Sequence, residues 1–172
     1  MKIEVVVGNI VMQPDVDALV NSANANLRLG SGVAGAIHTA AGPELEKFCK
    51  PFAPLELGAA LITPGFSLAN PWIIHVRAAH YILNTEPERY MAFAMFSMLN
   101  TARDNGIKSL AMPAIGTGVF KFPPILAARI TAKALKEFER KSDAIDLVRI
   151  CVVSEELRQL YESAVALVGD HP

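Results

Sequence analysis

At 172 residues, with 52% apolar and 19% charged residues, the chain is long enough for a substantial core, and no shift in composition marks a linker or a second regime, so residues 1–172 are expected to form a single domain. A formal net charge of −1, from 16 Lys and Arg against 17 Asp and Glu, excludes a surface that holds nucleic acid by bulk phosphate neutralisation, though it leaves room for one bound nucleotide. No apolar run approaches the roughly 20 residues of a membrane span, and Met1 to Val7 is too short and too alternating for a secretion signal, so a cytoplasmic protein with Cys49 and Cys151 reduced and buried is expected.

Strand and helix signals then alternate. Lys2 to Val7 reads as a strand with Ile3, Val5 and Val7 on one face, and Ala18 to Val20 as a short buried strand. Val33 to Ala41 looks helical and is stopped by Gly42-Pro43, and Glu44 stands at a natural helix start. Ala59 to Thr63 and Trp72 to Val76 are β-rich and suited to pair as neighbours, the first ended by Thr63-Pro64-Gly65. Glu86 to Asn105 is the clearest long helix, with Pro87 in its first turn and an apolar stripe through Phe93, Phe96 and Leu99. A strand from Ser109 to Met112, a helix from Pro124 to about Arg140, a strand from Leu147 to Val153 and a helix from Glu155 to Leu167 complete the chain. That order implies an α/β fold with a mixed, largely parallel sheet between helices, whose ligands sit at the carboxyl ends of the strands.

Two glycine-bearing loops follow strands and lead toward helices. In the first, Asn21-Ser22-Ala23-Asn24-Ala25-Asn26 runs into Gly30-Ser31-Gly32-Val33-Ala34-Gly35; in the second, Pro113-Ala114-Ile115 runs into Gly116-Thr117-Gly118-Val119-Phe120. Absent side chains expose backbone N–H groups at a helix start, where the dipole favours an anion. A Gly-Ser-Gly turn before a helix is equally ordinary turn chemistry. The second loop is neither a Walker loop, since no Gly-Lys-Ser/Thr follows, nor a dinucleotide fingerprint, since Lys121 stands where a third Gly would be. Phe120 is as well suited to the core as to a sugar or base. The amides of Asn9, Asn21, Asn24 and Asn26 are suited either to local turns or to ribose and base edges.

Other chemistry is weaker. His38 lies more than a helical turn beyond the loop and reads as a packed residue; His75 and His80 lack ligand spacing, so no metal and no cofactor is expected. No Gly-x-Ser-x-Gly elbow marks a nucleophile. Asp15, Asp17, Glu44 and Glu46 read as solvated ends of elements, and Lys133 through Asp143 as an exposed helix face rather than a nucleic-acid patch.

Gly8-Asn9-Ile10, Val20-Asn21-Ser22-Ala23-Asn24, Gly30-Ser31-Gly32-Val33-Ala34-Gly35-Ala36-Ile37-His38, Ala40-Ala41-Gly42-Pro43-Glu44-Leu45 and Pro113 to Phe120 together resemble the macrodomain family of ADP-ribose-binding, Appr-1''-p processing-like modules. The resemblance implies a three-layer α/β/α sandwich that binds ADP-ribose, in some members removing ADP-ribosyl groups from proteins or acetyl groups from O-acetyl-ADP-ribose. It implies that Asn9, where the family commonly has Asp, meets the adenine amine, with Gly8 and Ile10 as further binding residues, and that Asn24 lies toward the distal ribose with a catalytic role, Asn21 being a further binding residue. Gly30, Ser31, Gly32, Val33 and Ala34 would line one side of the diphosphate, and Gly116, Thr117, Gly118, Val119 and Phe120 the other.

Three departures bear on activity. Ala34 stands where the hydrolytic subclass carries an Asp, and loss of a positioned general base commonly forfeits about 10²- to 10⁴-fold in rate. Arg77-Ala78-Ala79 replaces a small Gly-Pro-like turn, and Ile150 to Ser154 offers no aromatic beside adenine. The expectation is therefore a module that binds ADP-ribose or ADP-ribosylated protein. The alternatives are a hydrolase of O-acetyl-ADP-ribose or ADP-ribosyl esters, and a diverged scaffold for another nucleotide.

Overall fold

The computed structural model describes residues 1–169. Six strands, β1 (Lys2–Val7), β2 (Ala18–Ser22), β3 (Ala60–Pro64), β4 (Trp72–Val76), β5 (Ser109–Pro113) and β6 (Leu147–Val152), form one sheet in the order β1-β6-β5-β2-β4-β3. Every neighbouring pair is parallel except β3 with β4, which run antiparallel with Leu61 opposite His75. Five α-helices, α1 (Gly32–Ala41), α2 (Glu44–Cys49), α3 (Pro87–Asp104), α4 (Pro124–Lys141) and α5 (Glu155–Gly169), cover its two faces.

The period-two alternation of the strands decides which side chain meets which layer. Ala18 and Val20 of β2, Leu110 and Met112 of β5, and Val148, Ile150 and Val152 of β6 pack with α3, α4 and α5. Leu19, Ala111 and Cys151 face the other way, onto Ile37 and Ala41 of α1 and Leu45 and Cys49 of α2. The result is the three-layer α/β/α sandwich that the alternating elements imply.

Local chemistry sets the ends of elements. Gly42, at φ 91°, ends α1 with its N–H on the His38 carbonyl (3.0 Å), a conformation a side chain would strain. Pro87 and Pro124 open α3 and α4 where no intrahelical N–H is needed. The α3 core stripe runs through Met91, Ala94, Met95, Met98, Leu99 and Ala102. Phe93, expected in that stripe, is instead half-exposed, beside the Tyr90 ring and under the Arg89 guanidinium. Asp17 is more than a solvated end: its carboxylate accepts the N–H groups of Lys108 (2.9 Å) and Ser109 (3.2 Å) and ties the starts of β2 and β5 together. Asp15 pairs in a fork with Arg149, 2.8 Å on each arm. Among the described residues, no helix is long and apolar enough to cross a membrane.

One feature of this topology positions the site. The chain leaves β2 through α1 toward β3 and β4, and leaves β5 through α4 toward β6 and β1, although β2 and β5 are neighbours. Their loops therefore diverge at the carboxyl edge and open a crevice between them, the place where open α/β sheets take ligands.

Candidate functional site

A cleft of about 640 Å³ occupies that crevice. Its floor is made by the carboxyl ends of the strands: Val7 to Ile10 after β1, Ser22 of β2, Pro113 and Ala114 of β5, and Cys151 to Val153 at β6. One wall is Ser31, Gly32, Val33 and Ala36 at the start of α1; the other is Gly116 to Phe120; Leu157 of α5 closes the end near Gly8 and Asn9. Among the described residues, no Asp, Glu, Lys, Arg or His lines it.

Polarity in this cleft comes from the backbone. Among the described residues, the N–H groups of Gly32, Val33 and Ala34 in the first turn of α1 find no protein acceptor, and Ser31 makes no side-chain cap. The first-turn N–H groups of a helix are left over by geometry and carry the positive end of its dipole. Across the cleft, Thr117 donates its hydroxyl to the Ala114 carbonyl (2.7 Å), while Phe122 and Lys121 donate their N–H groups to Gly116 (2.8 Å) and Gly118 (3.2 Å). These bonds fold the loop on itself and leave the N–H groups of Gly118, Val119 and Phe120 without a protein acceptor among the described residues. The cleft thus presents donors from two sides to whatever lies between.

The glycines divide by what a side chain would meet. Gly116 holds φ 89°, and a Cβ there would stand 3.0 Å from the Phe122 ring and 3.2 Å from the Met91 sulfur. A Cβ at Gly35 would fall 2.3 Å from the Gly30 carbonyl oxygen. At Gly32 and Gly118 nothing lies within 4 Å, so both open onto space, Gly32 with φ 58°.

Of the expected site residues, Gly8, Asn9, Ile10, Ser31, Gly32, Val33, Gly116, Thr117, Gly118, Val119 and Phe120 come together around the cleft. The other four stand elsewhere. Asn21 is buried in the sheet opposite His75: β2 continues to Ser22, and alternation turns Asn21 toward the α1 side. Asn24 closes its own loop, its Nδ2 donating to the Arg28 carbonyl (2.7 Å) and its Oδ1 accepting the Arg28 N–H (3.0 Å). The exposed Gly30 and the buried Ala34 methyl lie outside the lining, a Cβ at Gly30 falling 3.1 Å from Asn24 Nδ2 and 3.7 Å from the Ala34 methyl. Asn9 accepts the Val11 N–H on its Oδ1 (3.1 Å), which leaves its amide hydrogens as the side-chain donors at that end.

Sequence reasoning missed Val7, Ser22, Ala36 and Leu157 as lining residues, and named no contact among Cys151, Val152 and Val153 in the segment expected beside adenine. Val7, Ser22 and Cys151 sit at the carboxyl ends of strands, a usable signal once the sheet order is known; Leu157 and Ala36 carry none. Burial pushes the Cys151 thiol up to about 11, so it is protonated near neutral pH and no nucleophile.

Beneath the first wall lies a buried polar cluster. Asn21 Nδ2 donates to His75 Nδ1 (3.0 Å), His75 Nε2–H donates to Thr63 Oγ1 (2.9 Å), and the Thr63 hydroxyl donates to the Pro64 carbonyl (3.2 Å). That chain of donors fixes the neutral Nε2–H tautomer of His75. Burial, then the nearby His38, pushes the His75 pKa down to about 3. His38 of α1, ring centroid 6.3 Å from His75, is buried as well, and desolvation lowers its pKa. His38 therefore supports α1 from below and does not reach the cleft.

An α/β/α sandwich with two backbone-donor walls at its switch point belongs to the class of phosphate-cradling nucleotide folds. The chain is a member of the macro domain family, whose model matches residues 20–131. It is 38% identical to an O-acetyl-ADP-ribose deacetylase of Enterobacter sp. over 99% of this chain and 97% of that one. Its fold superposes on the Oceanobacillus iheyensis macrodomain with ADP at a TM-score of 0.92, with 31% identity, covering 98% of this chain and 92% of the other. A Trypanosoma brucei macrodomain in complex with ADP-ribose matches at a TM-score of 0.88, with 29% identity over 95% of this chain and 68% of that one.

Proposed function

We propose that the cleft binds ADP-ribose, free or as the terminal group on a protein. The observation that carries this reading is a cleft which, among the described residues, has no charged side chain and whose two walls both offer N–H groups without a protein acceptor. A diphosphate between them would be held by charge-assisted hydrogen bonds without any cation to desolvate. The apolar end formed by Ile10, Val153 and Leu157 suits a base, with Asn9 as its polar group, and places the distal ribose toward Phe120. Structures of similar proteins with ADP and with ADP-ribose support the ligand class.

Calorimetric titration with ADP-ribose, ADP and AMP tests this. Saturable binding that weakens from ADP-ribose to AMP is expected; no heat at millimolar ADP-ribose overturns it.

A second reading, hydrolysis of O-acetyl-ADP-ribose or of ADP-ribosyl esters, is favoured by the 38% identity to a deacetylase along nearly the whole chain. Among the described residues, no carboxylate or imidazole lines the cleft to act as general base, so turnover would fall to a water oriented by the ligand's own diphosphate. Ala34 is buried beside Gly30 and Asn24, and Ala34→Asp would bring a carboxylate to that place. Under the hydrolase reading it raises ester turnover at least tenfold with ADP-ribose affinity kept. Turnover at background in both forms, with ADP-ribose bound, leaves the binding module.

A further inference from the structure

The segment from Ala78 to Glu86, after β4, crosses the carboxyl edge and is fastened to the second wall of the cleft. The Tyr81 N–H donates to the Phe120 carbonyl (2.7 Å), and the Tyr81 ring lies 5.1 Å from the Phe122 ring. The next two residues, Ile82 and Leu83, project from a loop that closes on itself. The His80 N–H donates to Asn84 Oδ1 (2.7 Å) and the Asn84 N–H to the His80 carbonyl (3.1 Å). His80 Nδ1 accepts both the Ile82 N–H (3.1 Å) and the Leu83 N–H (3.2 Å). Apart from the Tyr81 N–H given to Phe120, the backbone donors from His80 to Asn84 are thus satisfied within those five residues, and the two aliphatic side chains take no part in holding the loop, being 72% and 78% exposed. Val119, on the wall of the cleft, is 60% exposed.

A single exposed Leu is ordinary surface; two adjacent large aliphatics held out by a self-satisfied loop beside a ligand cleft are a contact in waiting. A nucleotide cannot be their partner. Past its diphosphate it offers a ribose, which is hydroxyl-rich and gives aliphatic side chains nothing to cover. A second copy of this chain fits poorly too, since two side chains supply a small part of the ~800 Å² per partner of a stable protein interface. They suit a secondary contact on a ligand anchored elsewhere. With the base at the Ile10 and Leu157 end, the distal ribose and anything attached to it leave the cleft beside Phe120, the residue that holds Tyr81.

We infer that the Ile82–Leu83 tip docks the polypeptide that carries the ADP-ribosyl group, through apolar side chains flanking the modified residue, so that the cleft takes modified protein in preference to the free nucleotide. This rests on the ADP-ribose reading above. The tip sets which ADP-ribosylated ligands are held, and the cleft alone sets affinity for the nucleotide.

The test compares the wild-type chain with the double variant Ile82→Ser/Leu83→Ser. Both are titrated with free ADP-ribose by calorimetry. Both are also titrated with an auto-mono-ADP-ribosylated transferase catalytic domain, its groups glutamate-linked, by biolayer interferometry, with the unmodified domain as control. The expected result is ADP-ribose affinity unchanged within about twofold and affinity for the modified protein reduced fivefold or more. Equal affinity of both forms for the modified protein, or a wild type that binds it no tighter than free ADP-ribose, overturns the inference while leaving the cleft's function intact. Concentration-dependent dimerisation in sedimentation that the double variant abolishes also overturns it, by assigning the tip to a second copy. A wild type that binds neither ligand takes both readings down together, and the free ADP-ribose arm tells the two failures apart.

Discussion

The two glycine loops do the same work by different means. In each, one glycine is required by the fold and another faces the cleft: a Cβ at Gly35 would collide with the Gly30 backbone and one at Gly116 would crowd Phe122 and Met91 at φ 89°, whereas Gly32 and Gly118 look onto open space. Their supports differ. The first loop is carried by α1, which rests on the buried Asn21, His75 and His38 cluster. The second rests on an apolar cluster of Ala79, Met91, Phe122 and Ala127, with Gly116 pressed against Phe122 and Met91. A polar, titratable foundation and an oily one should respond to different perturbations, so the comparison can be broken or sharpened experimentally.

Acid should act on the first foundation. His75 ionises near 6.5 in an unfolded chain and at about 3 in the folded one. Between those values the unfolded state binds more protons, so stability present above pH 6.5 is lost as the pH falls toward 3. By pH 4 the His75 contribution to that loss is on the order of 3 kcal/mol. Urea midpoints of the wild type and of His75→Gln, measured from pH 7 to pH 4, isolate it from the carboxylates. A wild type whose pH slope matches that of the variant would show that the buried cluster does not hold the first wall.

Steric pressure should separate the glycines within each loop. Gly35→Ala drives a methyl into the Gly30 carbonyl at 2.3 Å, a backbone atom that cannot swing aside. A cost of about 2–3 kcal/mol in chemical denaturation is expected. At Gly118 a Cβ meets nothing within 4 Å, so Gly118→Glu should keep its melting temperature. Its carboxylate would enter the donor wall and lower ADP-ribose affinity by roughly thirtyfold or more, about 2 kcal/mol. Retained affinity in a folded Gly118→Glu would move the ligand out of the crevice.

Much of this was readable from the sequence, for reasons that also explain what was not. Long elements with a clean period announced themselves: α4 was expected from Pro124 to about Arg140 and runs Pro124–Lys141. The six-residue α2, at Glu44–Cys49, is too short for a helical period to show beyond its start after Pro43. On α3, Met91 and Phe93 flank the same apolar stretch, and only packing decides that the methionine goes inside. The glycine loops were visible because backbone exposure requires glycine. Asn21 was misplaced because β2 was expected to end at Val20, one residue short of the position where alternation turns the amide into the core. Leu157 joins the cleft only through the β1-β6-β5-β2 order, a relation between distant segments that no local pattern carries.

The smallest expected effect is the sharpest test of the division between folding and binding glycines. A Cβ at Gly118 would meet nothing within 4 Å, and the residue does not adopt a left-handed φ, so Gly118→Ala should change stability by less than about 0.5 kcal/mol. In the loop it narrows the approach to the Gly118 and Val119 N–H groups by one methyl, and a diphosphate held there should bind about three- to tenfold more weakly. Paired with Gly116→Ala, whose methyl meets Phe122 and Met91 at φ 89°, it gives opposite signatures two residues apart: stability lost in one, affinity in the other. If both variants lose stability and neither changes affinity on its own account, Gly118 belongs to the fold and the second wall is not a donor surface.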